Sequence, residues 1–332
     1  MELSGRLEAL SIPKPPGYKP IRLKALRGRG QGAEDVKVRA ACLPCMVHRA
    51  YREVCYATQD EALRLKVMVE VAKLLAREFK PDAVPAIVGT FRDRLIKELT
   101  GNPDPYKAVK AMSNKTALEL RPSVEEYIAS ARDGLERFRR ACLCAAVGNA
   151  IEFDILGHRF SLDLLSELLR RAEDDVAIDD VSALYEVARK AEKVLYLTDN
   201  AGEVAFDVLL VREIKALGPE VIVAVKEEPC INDALMEDAL AVGMDEVADE
   251  LITTGTDTVG LVLEWASREC LRAYEGADLV VAKGMGNIET LTEYEHDKPI
   301  AFLLFTKCET IAGHLGVERG KCVVKLWWPR GI

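Results

Sequence analysis

Amide side chains are nearly missing from this chain: its 332 residues include only six asparagines and two glutamines. Histidine is almost as sparse. The four residues, His48, His158, His296 and His314, form no H-x-H or H-E-x-x-H arrangement, which argues against a zinc hydrolase or a Ser-His-Asp enzyme. No G-x-S-x-G elbow, no Walker phosphate loop and no G-x-G-x-x-G dinucleotide fingerprint occurs. No apolar run reaches the roughly 20 residues that cross a bilayer, and the start lacks the basic-apolar-small order of a signal peptide. A formal charge of −9 leaves no excess of Lys and Arg for general contact with a nucleic-acid backbone. The expectation is a cytoplasmic protein with neither nucleic-acid nor membrane partners; protein partners cannot be read from the chain.

What is present supports a large folded unit. Hydrophobic residues make up 49% of the chain and charged residues 30%, enough for a sizeable core under a well-hydrated surface. Scarce Asn and Gln beside abundant Glu, Lys and Arg are compatible with a heat-adapted (thermophile) source. The nine cysteines are odd in number, in a chain too large to need disulfide stapling. Cys42 and Cys45 have the C-x-x-C spacing of zinc or redox chemistry, with Cys142 and Cys144 as a second pair if the fold unites them. Packing as buried small apolar residues is the favoured reading, with metal or redox chemistry as the alternative. Under that alternative Cys42 and Cys45 stand as a candidate second metal or redox pair, with His48 one turn away.

Three stretches differ in rhythm. Residues 1–35 read as a flexible basic, proline-containing extension, because Pro13, Pro15, Pro16 and Pro20 remove amide donors; a solvated tail or an over-extended translation start explains it. Residues 36–180 read as mainly helical, with apolar residues at three-to-four spacing through 62–75 and 124–138, punctuated by Pro81, Pro85, Pro103, Pro105 and Pro122. From 181 to 332 short apolar runs at 194–197, 221–225, 279–282, 301–305 and 322–327 alternate with helical patterns such as 204–217 and 259–273. Apolar strands alternating with helices predict a three-layer α/β/α domain with a mostly parallel sheet, so the fold class is α/β with a helical N-terminal domain.

Half of the rare asparagines stand where a predicted strand ends. Asp199-Asn200-Ala201-Gly202-Glu203 follows the first run, Asn232-Asp233 the second, and Lys283-Gly284-Met285-Gly286-Asn287 the third. Ligands of open α/β sheets bind at the carboxyl ends of strands. Asp199, Asn200 and Asp233 are hard oxygen donors that suit a divalent cation and leave positions for water and substrate. Gly202 permits the turn, and Glu203 caps the helix or supports the ligands. A lysine with Gly284 and Gly286 offers charge and backbone amides to phosphate. Asp and Asn are also common helix caps, and a single such motif reads first as a cap. Two on successive strand–helix junctions, in a chain nearly free of Asn, put a shared ligand site on an equal footing with two caps.

With those motifs in place, the chain resembles the metal-dependent damage-control phosphatases (domain of unknown function 89), most closely their archaeal and bacterial branch. The likeness runs from about Ala41 to the C-terminus through one ordered set. It comprises Cys42-Leu43-Pro44-Cys45, Asp104-Pro105-Tyr106 with Lys110 and Asn114, Gly148-Asn149-Ala150-Ile151-Glu152-Phe153, the three strand-end motifs, and Glu237-Asp238 with Ile288-Glu289. The resemblance implies one divalent ion (Mn, Co, Ni or Mg) at Asp199, Asn200 and Asp233, and hydrolysis of small phosphorylated metabolites such as sugar phosphates or damaged cofactor precursors. It implies that Lys283 holds the phosphate and that Asn149 reaches toward substrate from the helical part. Glu152 departs from the family's usual Asp.

The residues expected to act on the phosphoryl group are Asp199, Asp233 and Lys283, with Asn149, Glu203, Asn232, Gly284, Gly286, Asn287 and Glu289 around the substrate. The attacking group is a metal-held water or an aspartate forming an acyl phosphate; water is favoured because both aspartates serve as ligands. Two rivals use the same crevice: a methyltransferase-like enzyme, for which the glycine-rich first loop is missing, and a non-catalytic metal- or nucleotide-binding module.

Overall fold

The computed structural model describes residues 35–149 and 162–329. The extension expected before Asp35 lies outside the described residues, as do Ala150 to Phe153, with Glu152, and His158.

Three helices open the described chain: α1 (Cys42–Ala57), α2 (Glu61–Glu78) and α3 (Pro85–Thr100). The Asp60 carboxylate accepts the amides of Ala62 and Leu63 and starts α2. Pro85 opens α3, and Gly101, at φ 69°, ends it in the left-handed region. The apolar stripes of these helices meet one another: Met46, Val54, Val67, Val71, Leu75, Phe91 and Ile96 form a core of their own, closed by Val262 and Trp265.

The next helices, α4 (Lys107–Ala129), α5 (Gly134–Gly148), α6 (Leu162–Asp174) and α7 (Val181–Ala188), precede or flank the sheet strands. The apolar periodicity over 124–138 is broken into two helices by residues 130–133, where Asp133 caps α5 through the Glu136 amide. Pro122, expected to punctuate, instead lies inside α4. It removes the bond to the carbonyl of residue 118, in a turn where Leu118 and Glu119 are exposed and solvent can take that bond.

The strands are β1 (Ile178–Asp179), β2 (Lys193–Leu197), β3 (Glu220–Val225), β4 (Glu250–Thr253), β5 (Leu279–Lys283), β6 (Ile300–Phe305) and β7 (Cys322–Trp327). They form one sheet in the order β1-β7-β6-β5-β2-β3-β4. β2 to β6 are parallel; β7 runs antiparallel to β6, and β1 parallel to β7. Helices α8 (Val204–Lys215), α9 (Met236–Ala241), α10 (Arg268–Gly276), α11 (Gly284–Leu291) and α12 (Glu309–Leu315) connect the strands.

Successive strand residues alternate between two cores, the mark of a sheet covered on both faces. Val194, Tyr196, Val223, Val281 and Leu303 pack with α5 and α8, whereas Leu195, Leu197, Ala224, Val280 and Phe302 pack with residues of α10, α11 and α12. The three-layer α/β/α class is thereby established. The helical pattern read at 259–273 is correct only at its end. Gly260 sits at φ 69°, and a Cβ there would lie 2.2 Å from the Gly286 carbonyl oxygen. Helix α10 begins later, at a cap where Ser267 Oγ accepts the Cys270 amide.

Candidate active site

Strand order reverses between β2 and β5: β3 and β4 lie on one side of β2, β5 and β6 on the other. Such a switch point opens a crevice at the carboxyl ends of the strands. The residues just past β2 and β5 are Asp199-Asn200 and Gly284, and they meet there.

Beyond the sheet proper, the chain leaving β2 pairs with the loop after β3. The Ala201 amide donates to the Asn232 carbonyl at 2.9 Å, and the Ala234 amide to the Asp199 carbonyl at 2.8 Å. These bonds flank Asn200 and Asp233, which form an isolated antiparallel bridge. A bridge flanked this way is a non-hydrogen-bonded pair, with Cα atoms about 4.5 Å apart and side chains on the same side. The local fold therefore sets Asn200 against Asp233.

The cap reading fails at both junctions. The first turn of α8 receives no side-chain cap from Asp199, Asn200 or Glu203, and α9 is entered through Asp238, whose Oδ2 accepts the Leu235 amide at 2.9 Å. The acidic and amide side chains at the strand ends are left for other work.

A web of short contacts organises them. Asn149, at the end of α5, donates from Nδ2 to Asp199 Oδ2 at 2.7 Å and Glu203 Oε2 at 2.9 Å. Asn200 donates to the same two oxygens, at 2.7 and 3.0 Å. Two amides thus hold two carboxylates together, and the Asn200 carbonyl oxygen is left as a donor to a cation. Below them Lys283 is fully buried and donates to Glu203 Oε1 at 3.1 Å and Asp207 Oδ1 at 2.8 Å. Tyr196 donates to the same Asp207 oxygen at 2.7 Å. The structure places Lys283 as the counter-ion of Glu203 and Asp207 rather than on the open side of the crevice.

The remaining expected residues divide by position. Gly284, at φ 75°, lies directly against Asp199: a Cβ there would come within 2.0 Å of Oδ2. Gly286 meets Val259, whose Cγ1 would lie 2.9 Å from an added Cβ. Asn287 donates to the carbonyls of Lys283 at 2.8 Å and Thr198 at 3.3 Å, and so ties the ends of β2 and β5 together. Asn232 contributes its backbone carbonyl to the rung described above. Glu289, half-buried on α11, faces Arg49 of α1 and the Ala86 amide of α3. Cys42 lies away from this web, with Sγ 3.1 Å from Thr310 Oγ1, and Cys45 is exposed.

Burial and crowding shape the charge state. Burial and then Glu203 push the Asp199 carboxyl up to about 6, against the pull of Lys307 and Lys283. Asp233 is pushed up to about 8 by burial, with Asp199 and Glu203 adding to it and Lys226 opposing. Asp233 Oδ2 is buried and accepts no hydrogen bond; Lys226 Nζ, at 3.5 Å, makes an ion pair only. Burial alone would lower Lys283, but Asp207 and Glu203 outweigh it and raise it.

A buried carboxylate oxygen that accepts no hydrogen bond, beside a second carboxylate and an amide carbonyl, is an arrangement that a hard divalent cation can complete. Among the described residues no three His, Cys, Asp or Glu side chains converge as a metal-ligating group. The set consequently depends on the Asn200 amide and on open positions. The residues present fit such an ion.

Four residues join the site that strand-end reasoning did not assign to it. Lys307, two residues past β6, acts on Asp199; a lysine after an apolar strand was the available signal. Lys226, directly past β3, carries the same signal, whereas Asp207, inside α8, carries none. Asn114 of α4 donates to Asp238 Oδ1 at 2.7 Å and accepts the Gly202 amide at 2.8 Å, bracing the turn after Asp199. Asn114 and Asp238 also line a groove of about 680 Å³ between α4 and α9 that reaches neither Asp199 nor Asp233. No described helix is long and apolar enough to cross a membrane.

Comparison with known proteins gives the family. The sequence profile of the damage-control phosphatase ARMT1-like domain matches residues 38–323. A damage-control phosphatase of Pyrococcus horikoshii is 38% identical over 290 residues, 87% of this chain and 97% of that protein. One from Archaeoglobus fulgidus is 36% identical over 292 residues, 88% of this chain and 99% of that protein. The crystal structure of a DUF89 family protein from Pyrococcus horikoshii superposes with a TM-score of 0.79 at 38% identity, covering 87% of this chain and 98% of that one. With the profile spanning most of the sequence and relatives matched nearly end to end, the chain belongs to the damage-control phosphatase ARMT1-like family.

Proposed function

We propose that this protein is a divalent-metal-dependent phosphomonoester hydrolase acting on small phosphorylated metabolites, sugar phosphates or damaged cofactor precursors among them. The observation that carries the reading is the rung that sets Asn200 against Asp233, whose buried Oδ2 accepts no hydrogen bond. Asp199, Asn200 and Asp233 would hold the ion, with Mn²⁺, Co²⁺, Ni²⁺ and Mg²⁺ as candidates. When bound, such an ion neutralises phosphoryl oxygens and activates a water.

The chain's own groups do the rest. Asn149 and Asn200 fix the Asp199 carboxylate by donating to its Oδ2. Lys283 pairs with both Glu203 and Asp207 and holds them in place beneath it. Lys307, half-buried at the crevice, is the cation for the transferring phosphoryl group. Both aspartates are occupied as ligands in this reading, so water is the attacking group.

The test is phosphate release from p-nitrophenyl phosphate and a panel of sugar phosphates with each metal, with chelator, and with Asp199→Ala. Metal-stimulated release that the chelator and the substitution abolish is expected. No metal-stimulated release from any phosphomonoester would end the reading.

A further inference from the structure

The loop between β3 and α9 carries Asn232 and Asp233, and it contains a backbone outlier. Ile231 has φ 42°, and it is the one non-glycine with positive φ among the described residues. A β-branched residue rarely adopts the left-handed region and stays there only where its surroundings impose it. The imposing groups come from α3. Asp93 Oδ1 accepts the Ile231 amide at 3.1 Å. Lys97, one helical turn on, donates to the Pro229 carbonyl and lies 2.7 Å from Asp93 Oδ2. Lys97 also pairs with Asp257 at 3.3 Å, and Arg94 donates from Nε to both oxygens of Asp257, at 2.9 and 3.1 Å.

Asp93 is fully buried, and so is its neighbour Glu53 of α1, which pairs with Arg92 at 3.4 Å. Burying ionisable groups in this number is costly, and apolar packing would join α3 to the loop at less cost. What apolar packing would not supply is direction. The two anchors grip the loop at the Pro229 carbonyl and the Ile231 amide. The next turn, closed by the Asp233 amide on the Cys230 carbonyl at 3.0 Å, carries that constraint to Asp233.

We propose that Asp93 and Lys97 are positioning residues: from α3 they hold Ile231 in its left-handed conformation and so fix the orientation in which Asp233 faces Asn200. The consequence for metal affinity rests on the metal-site reading above; the clamp on the loop does not.

The experiment has two arms. In metal-free protein, amide hydrogen exchange is followed at Ile231, Asp233 and Ala234, with the β5 amides as a remote control. Asp93→Ala is expected to speed exchange at the three loop amides by about tenfold or more, the loss of a charge-assisted bond, and to leave β5 unchanged. In the second arm, chelator-treated protein is titrated with Mn²⁺ alone. Asp93→Ala is expected to weaken binding by about 10- to 100-fold, as removal of outer supports of metal ligands does. Asp93→Asn keeps an oxygen acceptor and is expected to stay within about threefold of wild type.

The decisive comparison is Ile231→Gly, since glycine occupies positive φ without a clamp. In that background Asp93→Ala is expected to lose most of its effect on both readouts. Loop exchange unchanged in a folded Asp93→Ala protein, or an undiminished effect in the Ile231→Gly background, overturns the proposal. If wild-type protein takes up no Mn²⁺, the metal reading fails, and the exchange arm still decides the clamp. If Asp93→Ala does not fold, Lys97→Met, which removes the anchor on Pro229, is judged by the same two criteria.

Discussion

Replacing Gly284 by alanine tests how closely the β5 end is fitted to Asp199. The added methyl carbon would lie 2.0 Å from Oδ2, 2.2 Å from Cγ and 2.6 Å from Oδ1 of that carboxylate. Reaching the roughly 3.5 Å of ordinary nonbonded contact requires a displacement of about 1.5 Å. A shift of that size near reacting atoms costs on the order of 100-fold in rate. The left-handed backbone adds a stability cost of about 1–2 kcal/mol for any residue with a Cβ. Gly101 is the control: its φ of 69° imposes the same backbone cost, but a Cβ there meets nothing within 4 Å. Both variants are assayed for metal-stimulated phosphate release and for urea unfolding. Gly284→Ala is expected to lose about 100-fold in kcat/KM, while Gly101→Ala loses comparable backbone stability and keeps its activity. Wild-type activity in Gly284→Ala, or an equal activity loss in Gly101→Ala, would refute the argument that Asp199 is held in place by contact with the β5 end.

Other substitutions address the rest of the site. Lys283→Ala leaves Glu203 and Asp207 buried without their cation and is expected to cost about 3–5 kcal/mol in urea unfolding; a cost below about 1 kcal/mol would contradict its role as a counter-ion. Lys307→Ala is expected to lower kcat/KM for phosphomonoesters by about 100-fold or more with little change in melting temperature, and unchanged kinetics would remove Lys307 from the phosphate site. Burial, aided by Asp93, pushes Glu53 up to about 8 despite Arg92, against an unfolded value of roughly 4.3. The folded state therefore holds this proton more tightly: its contribution to stability is complete below about pH 4.3 and lost as pH rises through about 8. Melting temperatures measured from pH 6 to 9 should fall less steeply in Glu53→Gln than in wild type, and parallel curves would show that Glu53 does not titrate there.

The sheet was legible where strands are wholly buried, because runs such as 221–225 and 301–305 are continuously apolar. Edge strand β4 carries no such signal, because Glu250-Leu251-Ile252-Thr253 offers only two apolar residues. The two-residue β1 is too short for any periodicity. The run at 322–327 was visible but its reversed direction was not, since a link's geometry, not a strand's composition, sets that. In the site, Asp199-Asn200 and Asn232-Asp233 declared themselves as polar groups abutting apolar runs. The Glu203–Lys283–Asp207 triad did not, because it exists only once β5 lies beside β2. Spacing cannot reveal that Lys283 faces inward. Asp93 and Lys97 are four apart on a helix, the signature of an ordinary surface ion pair; only the packing of α3 on the Pro229–Asp233 loop gives them another meaning.

The central claim is that Asp199, Asn200 and Asp233 together hold one divalent ion. Free Mn²⁺, followed by electron paramagnetic resonance as it is titrated into chelator-treated protein, measures this directly. One tightly held ion per wild-type chain is predicted, with that ion lost in Asp233→Ala protein that retains its circular dichroism spectrum. An unchanged stoichiometry and affinity in Asp233→Ala would contradict the account.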